Sequence, residues 1–290
     1  MSSSSPRAPE LEHETRLYFP VASRPDSYEA WPPGHSLAAF CLDADGQRER
    51  YLSCKRSIVQ RVGRGPQRTS DAPAERAQQR AASFLRGLMQ ELPPWRGQAE
   101  RLSQLQLDEL MLQLQEDLAI MLCPLGHAPE RARAVYLHVC FPSGWSPARL
   151  IGKSFPALHA RVPYEAGFER AERSEHAARL FAQPAARYVW SLSALPELDR
   201  HPDSSSLVDW SAATEAFLRV ERQIIVPLPA DSLEGHSTAL FFIRVYVYPL
   251  ARLSRDQRSE LAAALDALPE SVRRYKGLLG HEARVRQLLL

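Results

Sequence analysis

TALFFIRVYVY, residues 238–248, decides how this chain is read. Ala239, Phe241, Ile243, Val245 and Val247 fall on one side of an extended backbone, and Leu240, Phe242, Arg244, Tyr246 and Tyr248 on the other. A period of two over eleven residues rich in β-branched and aromatic side chains predicts a strand. Just upstream, RVERQIIVPLP (219–229) has the same character, and ADSLEGHS (230–237) separates the two runs. The pair predicts a β-hairpin. Arg244 shares its face with aromatics rather than with other charges. That suits a half-buried pocket wall, or a face covered by a helix with Arg244 snorkelling outward, the commoner arrangement.

Working outward, RYVWSL (187–192) predicts another strand, and so does AVYLHVCF (134–141). In the latter Val135, Leu137, Val139 and Phe141 share one face and Tyr136, His138 and Cys140 the other, before PSGWSP (142–147) breaks the pattern. LDELMLQLQEDLAIML (107–122) reads as a helix with Leu107, Leu110, Met111, Leu114, Leu118 and Met121 in one stripe. On that reading Asp117 lies at the stripe's edge and Glu116 faces water. Asp117 is then either a boundary residue bonded to a neighbouring loop or a functional carboxylate.

A helix is predicted from Ser70 or Asp71, with Pro73 in its first turn, to a stop before Pro93 and Pro94. The C-terminal stretch 253–279 is also helical in pattern, with Ser254 and Gln257 at capping-box spacing. Between residues 17 and 59, apolar runs around the DADG turn signal (43–46) read as strand-like segments. Helices early and late with strands between them predict an α+β fold. Residues 1–16, which open MSSSS, read as a disordered lead-in, and 17–290 as a single domain.

The 290 residues carry a net charge of +2 with no basic block, so nucleic acid is not the expected partner. No apolar run reaches the length of a membrane span, and the N-terminus lacks a signal-peptide pattern, so a cytoplasmic protein is expected. Cys41, Cys54, Cys123 and Cys140 have no CxxC spacing, which argues against a zinc or iron–sulfur site and for free thiols. GRGPQRTSDAP (63–73) lacks the lysine and hydroxyl that a phosphate loop needs directly after its second glycine, and no GxGxxG, GxSxG or HExxH occurs. Any redox chemistry therefore needs electrons from elsewhere.

Histidine is the natural ligand type for a metal or haem. Of nine histidines, only His138 and His159 are embedded in apolar sequence. Each is by default a core histidine with satisfied nitrogens, and otherwise a ligand.

Six motifs in order then resemble one family: LQEDLAIM (114–121), VCFPSGW (139–145), IGKSFPALHARVP (151–163), LRVERQIIVPLP (218–229), FFIRVYVYPL (241–250) and YKG (275–277). They resemble the haem-binding catalytic subunit of the haem-dependent oxidative N-demethylases, from about Tyr51 to Gly277. The resemblance implies a PAS-like fold, a mixed, largely antiparallel sheet flanked by helices. It implies haem b as cofactor, dioxygen as co-substrate, a small amine as substrate, and an NADPH-dependent flavin and iron–sulfur reductase as partner. The family's histidine aligns with His159, which the resemblance makes the axial iron ligand. Arg187, Arg219, Arg244 and Tyr246 lie in matching strands, where arginines could pair with haem propionates. Asp117 or Glu221 could hold a cationic amine. Arg219, Glu221 and Gln223 alternate onto one face. Two positions depart from the pattern: Arg161 replaces a proline before Val162–Pro163, and Val189 replaces an asparagine before Trp190. A haem-binding PAS-like sensor or scaffold is the alternative reading.

Overall fold

The computed structural model describes residues 17–21, 28–163, 169–204, 210–229 and 235–289. The 1–16 lead-in and most of the 230–237 hairpin loop lie outside them. The architecture is α+β, as expected: one seven-stranded sheet, paired antiparallel throughout, with helices against it. The strands are β1 (Glu29–Ala30), β2 (Gln67–Arg68), β3 (Asp117–Pro124), β4 (Arg133–His138), β5 (Ala185–Ser193), β6 (Phe217–Pro227) and β7 (His236–Pro249), in the order β1-β5-β6-β7-β3-β4-β2. The β6–β7 hairpin is its centre. Arg222 faces Arg244 and Val220 faces Tyr246 across it.

One face of the sheet is covered by two sets of helices. Leu118, Ile120, Ile224, Leu240 and Phe242 pack with α1 (Leu37–Cys41), α3 (Ala72–Glu91), α4 (Ala99–Gln104) and α5 (Leu107–Met111). Trp190, Leu218, Val220, Tyr246 and Tyr248 pack with α9 (Arg255–Ala267) and α11 (Glu282–Leu289). The predicted helix starts are seen: Asp71 caps α3, with Pro73 in its first turn, and Ser254 and Gln257 close a capping box on α9. The C-terminal helical stretch is interrupted at Pro269, where α10 (Glu270–Tyr275) begins, because proline cannot donate in a helix interior.

Two sequence expectations fail. Residues 107–122 form α5 and then β3, not one helix. The stripe from Leu107 to Leu114 is genuine, but after Asp117 the run LAIMLCP is unbroken and apolar, and that composition fits a central strand buried on both faces as well as a helix. Glu116 and Asp117 are consequently both buried; neither lies at a solvent boundary. The strand-like segments around DADG are α1 and α2 (Arg48–Gln60). In α2 the buried residues Tyr51, Leu52, Lys55 and Ile58 recur at three- and four-residue spacing, the helical period.

The turn Gln115–Glu116–Asp117 ties these parts together. Gln115 exchanges two hydrogen bonds with Asp45, and the Asp43 amide donates to Glu116 Oε1 at 2.8 Å. Asp117 accepts the Phe141 amide at 2.8 Å and has Lys55 Nζ 3.1 Å from its other oxygen; neither ionic side chain has any exposed area. The same ammonium donates to the Glu116 and Met111 carbonyls. Removing one member of such a pair strands the other charge in the core. Lys55→Met is therefore expected to destabilise the fold by about 3–5 kcal/mol, measured by urea denaturation, whereas Arg56→Met, one residue on and half exposed, should change it by less than about 1 kcal/mol.

Candidate functional site

The other face of the sheet is covered unevenly. At one end Ala119, Met121, Leu137, Ile225 and Ala239 pack with Phe155 of α7 (Phe155–Leu158) and with Ala177 of α8 (Glu169–Arg179). At the other, Ile243 and Val245 pack with Tyr51, Ile58, Phe141 and Leu198. Between them runs a half-buried strip: Arg187, Val189 and Ser191 of β5, Glu221 and Gln223 of β6, and Phe241 of β7. Register sets these side by side, with Arg187 opposite Gln223 and Val189 opposite Glu221.

His159 closes α7 as its C-cap residue. The segment before it is tied to β4, since Ala134 and Gly152–Lys153 exchange backbone hydrogen bonds and Phe155 N donates to Ala132 O at 2.7 Å. Pro156 starts the helix and Pro163 follows it, so little backbone freedom remains. His159 Nδ1 lies 2.9 Å from the Phe155 carbonyl. A carbonyl only accepts, so Nδ1 carries the proton and the lone pair of the neutral ring is on Nε2. That is how a protein prepares a metal-binding imidazole. The ring also packs on Phe155 at 4.3 Å between centroids, and Phe155 and Leu158 belong to the same apolar cluster as Ile225 and Phe241. An apolar face beside a tautomer-fixed histidine fits a haem.

The arginines separate. Arg187 is on the half-buried strip; its Nη1 donates to Tyr28 Oη at 3.3 Å, and its buried Nε has no partner. Arg219 is buried on the same side and donates to the Phe141, Leu198 and Glu197 carbonyls. Arg244 and Tyr246 lie on the opposite, helix-covered side. Arg244 does not snorkel: it is fully buried, stacked 3.7 Å from the Tyr51 ring centroid and paired with Asp45 at 3.0 Å. Three acceptable counter-groups at hand, a carboxylate and two rings, make burial cheaper than reaching water. Tyr246 Oη donates to Asp43. Of the two carboxylates, Glu221 is on the strip, and Asp117 is on the same side of the sheet, opposite Ile243 and fully buried with Lys55.

His138, the other apolar histidine, is buried near Asp117 and Cys140. A potential ligand atom from each of these three lies within 4.8 Å of the others. A cation there would meet the Lys55 ammonium already beside Asp117. Burial, and then the charge of Lys55, pushes the His138 ring down to about 3, while burial pushes the Asp117 carboxyl up against the pull of Lys55. Sequence reasoning missed Lys55, whose signal was available: a lysine in the apolar stripe of α2. It also missed Ser143, for which no local pattern exists.

With this geometry in place, the comparison with known families is decisive. A family model described as haem-dependent oxidative N-demethylase, alpha subunit-like, matches residues 77–286. The chain belongs to that family. The matched stretch includes His159, the whole half-buried strip and five of the seven strands, β3 to β7; β1 and β2 precede it. Lys55 and the Asp43–Asp45 loop precede it. No curated protein matches the chain with significance.

The neutral state of His138 has a consequence for stability. Its folded-state proton affinity is below the ordinary 6.5, so its contribution is present above that pH and is lost as pH falls toward 3. At pH 5 the unaltered protein should have lost about 2 kcal/mol more, relative to pH 7, than His138→Gln, as read from urea denaturation at the two values.

Proposed function

We propose that this chain is a haem-dependent, dioxygen-using oxidoreductase that removes an N-methyl group from a small amine. Family membership supports the reaction class, and the tautomer-fixed His159, packed on the apolar Phe155 cluster next to the half-buried strip, is the observation that carries it to these residues. His159 would hold the iron of haem b through Nε2, and Arg187, half-buried on the strip, would meet a propionate. Haem bound there would supply the activation of dioxygen, with electrons from an NADPH-dependent flavin and iron–sulfur reductase. Overall, a methylamine, dioxygen, two electrons and two protons would give the demethylated amine, formaldehyde and water. Glu221, the carboxylate on the strip, would hold the amine, and the apolar neighbours Phe241 and Val189 would receive its methyl groups. Asp117, engaged with Lys55 and the Phe141 amide, would act on the site only through the 141–143 loop.

Pyridine haemochrome analysis of protein expressed with haem precursor should give close to one haem b per chain; a protein that neither carries haem nor takes up haemin overturns the proposal. His159→Ala should lose or displace the Soret band and recover it with added imidazole, while His138→Ala, folded by circular dichroism, should keep it. The reverse pattern would move the ligand to β4.

A further inference from the structure

Glu221 is held more firmly than a half-exposed carboxylate needs to be for stability alone. Ser143 Oγ contacts Glu221 Oε1, and Gln223 Nε2 donates to Oε2 at 2.9 Å. Arg219 Nε donates to the same Ser143 oxygen at 2.9 Å. A guanidinium only donates, so Ser143 must accept from Arg219, and its single hydroxyl hydrogen is left for Glu221. The direction of the hydroxyl is therefore fixed by chemistry. Arg219 is in turn immobile, because its remaining groups bond the Phe141 and Leu198 carbonyls at 2.9 and 3.0 Å. The Phe141 amide is held by Asp117. A chain of hydrogen bonds thus runs from the core ion pair to the Glu221 carboxylate.

Each oxygen of that carboxylate has one neutral donor. Among the described residues no lysine, arginine or histidine nitrogen forms an ion pair with it, although Arg219 lies one serine away. Lys276, near enough to feel the Glu221 charge, gives its ammonium to the Trp190 carbonyl and not to the carboxylate. The result is an anion fixed in direction, half exposed, and not neutralised by direct contact. Such an arrangement recognises a cation, and on a strip bounded by Val189 and Phe241 the cation that fits is small and carries apolar substituents.

We propose that Ser143 and Gln223 are positioning residues for Glu221, and that together they make the strip selective for an alkylammonium ion over a neutral molecule of the same size. This rests on reading Glu221 as the amine-holding group. The variants Glu221→Gln, Ser143→Ala, Ser143→Thr and Gln223→Leu test it by calorimetric titration of the full-length haem-loaded protein with dimethylammonium chloride and, separately, 2-propanol. The unaltered protein should bind dimethylammonium more tightly. Glu221→Gln and Ser143→Ala should each weaken dimethylammonium binding about tenfold and leave 2-propanol within about twofold, and Ser143→Thr, which keeps the hydroxyl, should restore it. Gln223→Leu, on the half-exposed strip and so least apt to unfold, should lose about threefold, within the range of one neutral hydrogen bond. A role in folding alone would lower both affinities together, and that result overturns the inference. If Ser143→Ala and Gln223→Leu bind like the unaltered protein while Glu221→Gln is weak, positioning is refuted and the amine reading of Glu221 stands. If Glu221→Gln binds normally, or the unaltered protein shows no preference for the cation, both are refuted.

Discussion

The ion pair between Lys55 and Asp117 is the contact on which the rest of the arrangement depends. Two fully buried charges 3.1 Å apart need further polar partners, and here each has them. The ammonium bonds two carbonyls at the end of α5 and the entrance to β3, and the carboxylate bonds the amide of Phe141. One pair therefore fixes α2 against the sheet, sets where β3 begins and holds the loop after β4. Since replacing such pairs by apolar residues is often neutral for stability, its value lies in specifying position rather than in adding free energy.

A second buried charge organises the opposite face. Arg244, between Tyr51 and Tyr246 and paired with Asp45, joins β7 to α2 and to the loop that precedes it. Gln115 and Glu116 hold the same loop from the β3 side. Polar groups thus lock the helix-covered face, where hydrophobic contact alone would allow sliding. The other face is left with its strip half-buried between two apolar clusters. The family match covers the strip and His159, whereas Lys55 and the Asp43–Asp45 loop come before its first residue. The supporting elements therefore extend beyond the stretch that defines the family.

The two carboxylates raised by the sequence have different surroundings for a physical reason. Asp117 sits where β3 enters the sheet, under Lys55, and its burial is complete. Glu221 sits in mid-strand on the face with least cover, bonded by neutral donors from Ser143 and Gln223. Alternation decides this: Val220 and Arg222 take the helix-covered face, and Glu221 and Gln223 the other.

Local pattern determined much of this by itself. The β6–β7 hairpin, β5, α3 with its Asp71 cap and the Ser254 capping box were all legible, because each depends on interactions within a few residues. So was the sharing of a face by Arg219, Glu221 and Gln223, which follows from a period of two. Order of motifs was enough to suggest the family. What the sequence could not determine was whether DLAIMLCP is helix or strand, because a run buried on every side has no periodicity to read. It could not show that Arg244 stays in the core, since Asp45 and Tyr51 come from about 200 residues away, nor that Ser143 reaches Glu221 across 78 residues. Those facts belong to the tertiary structure because the sheet, not the chain, makes the groups neighbours.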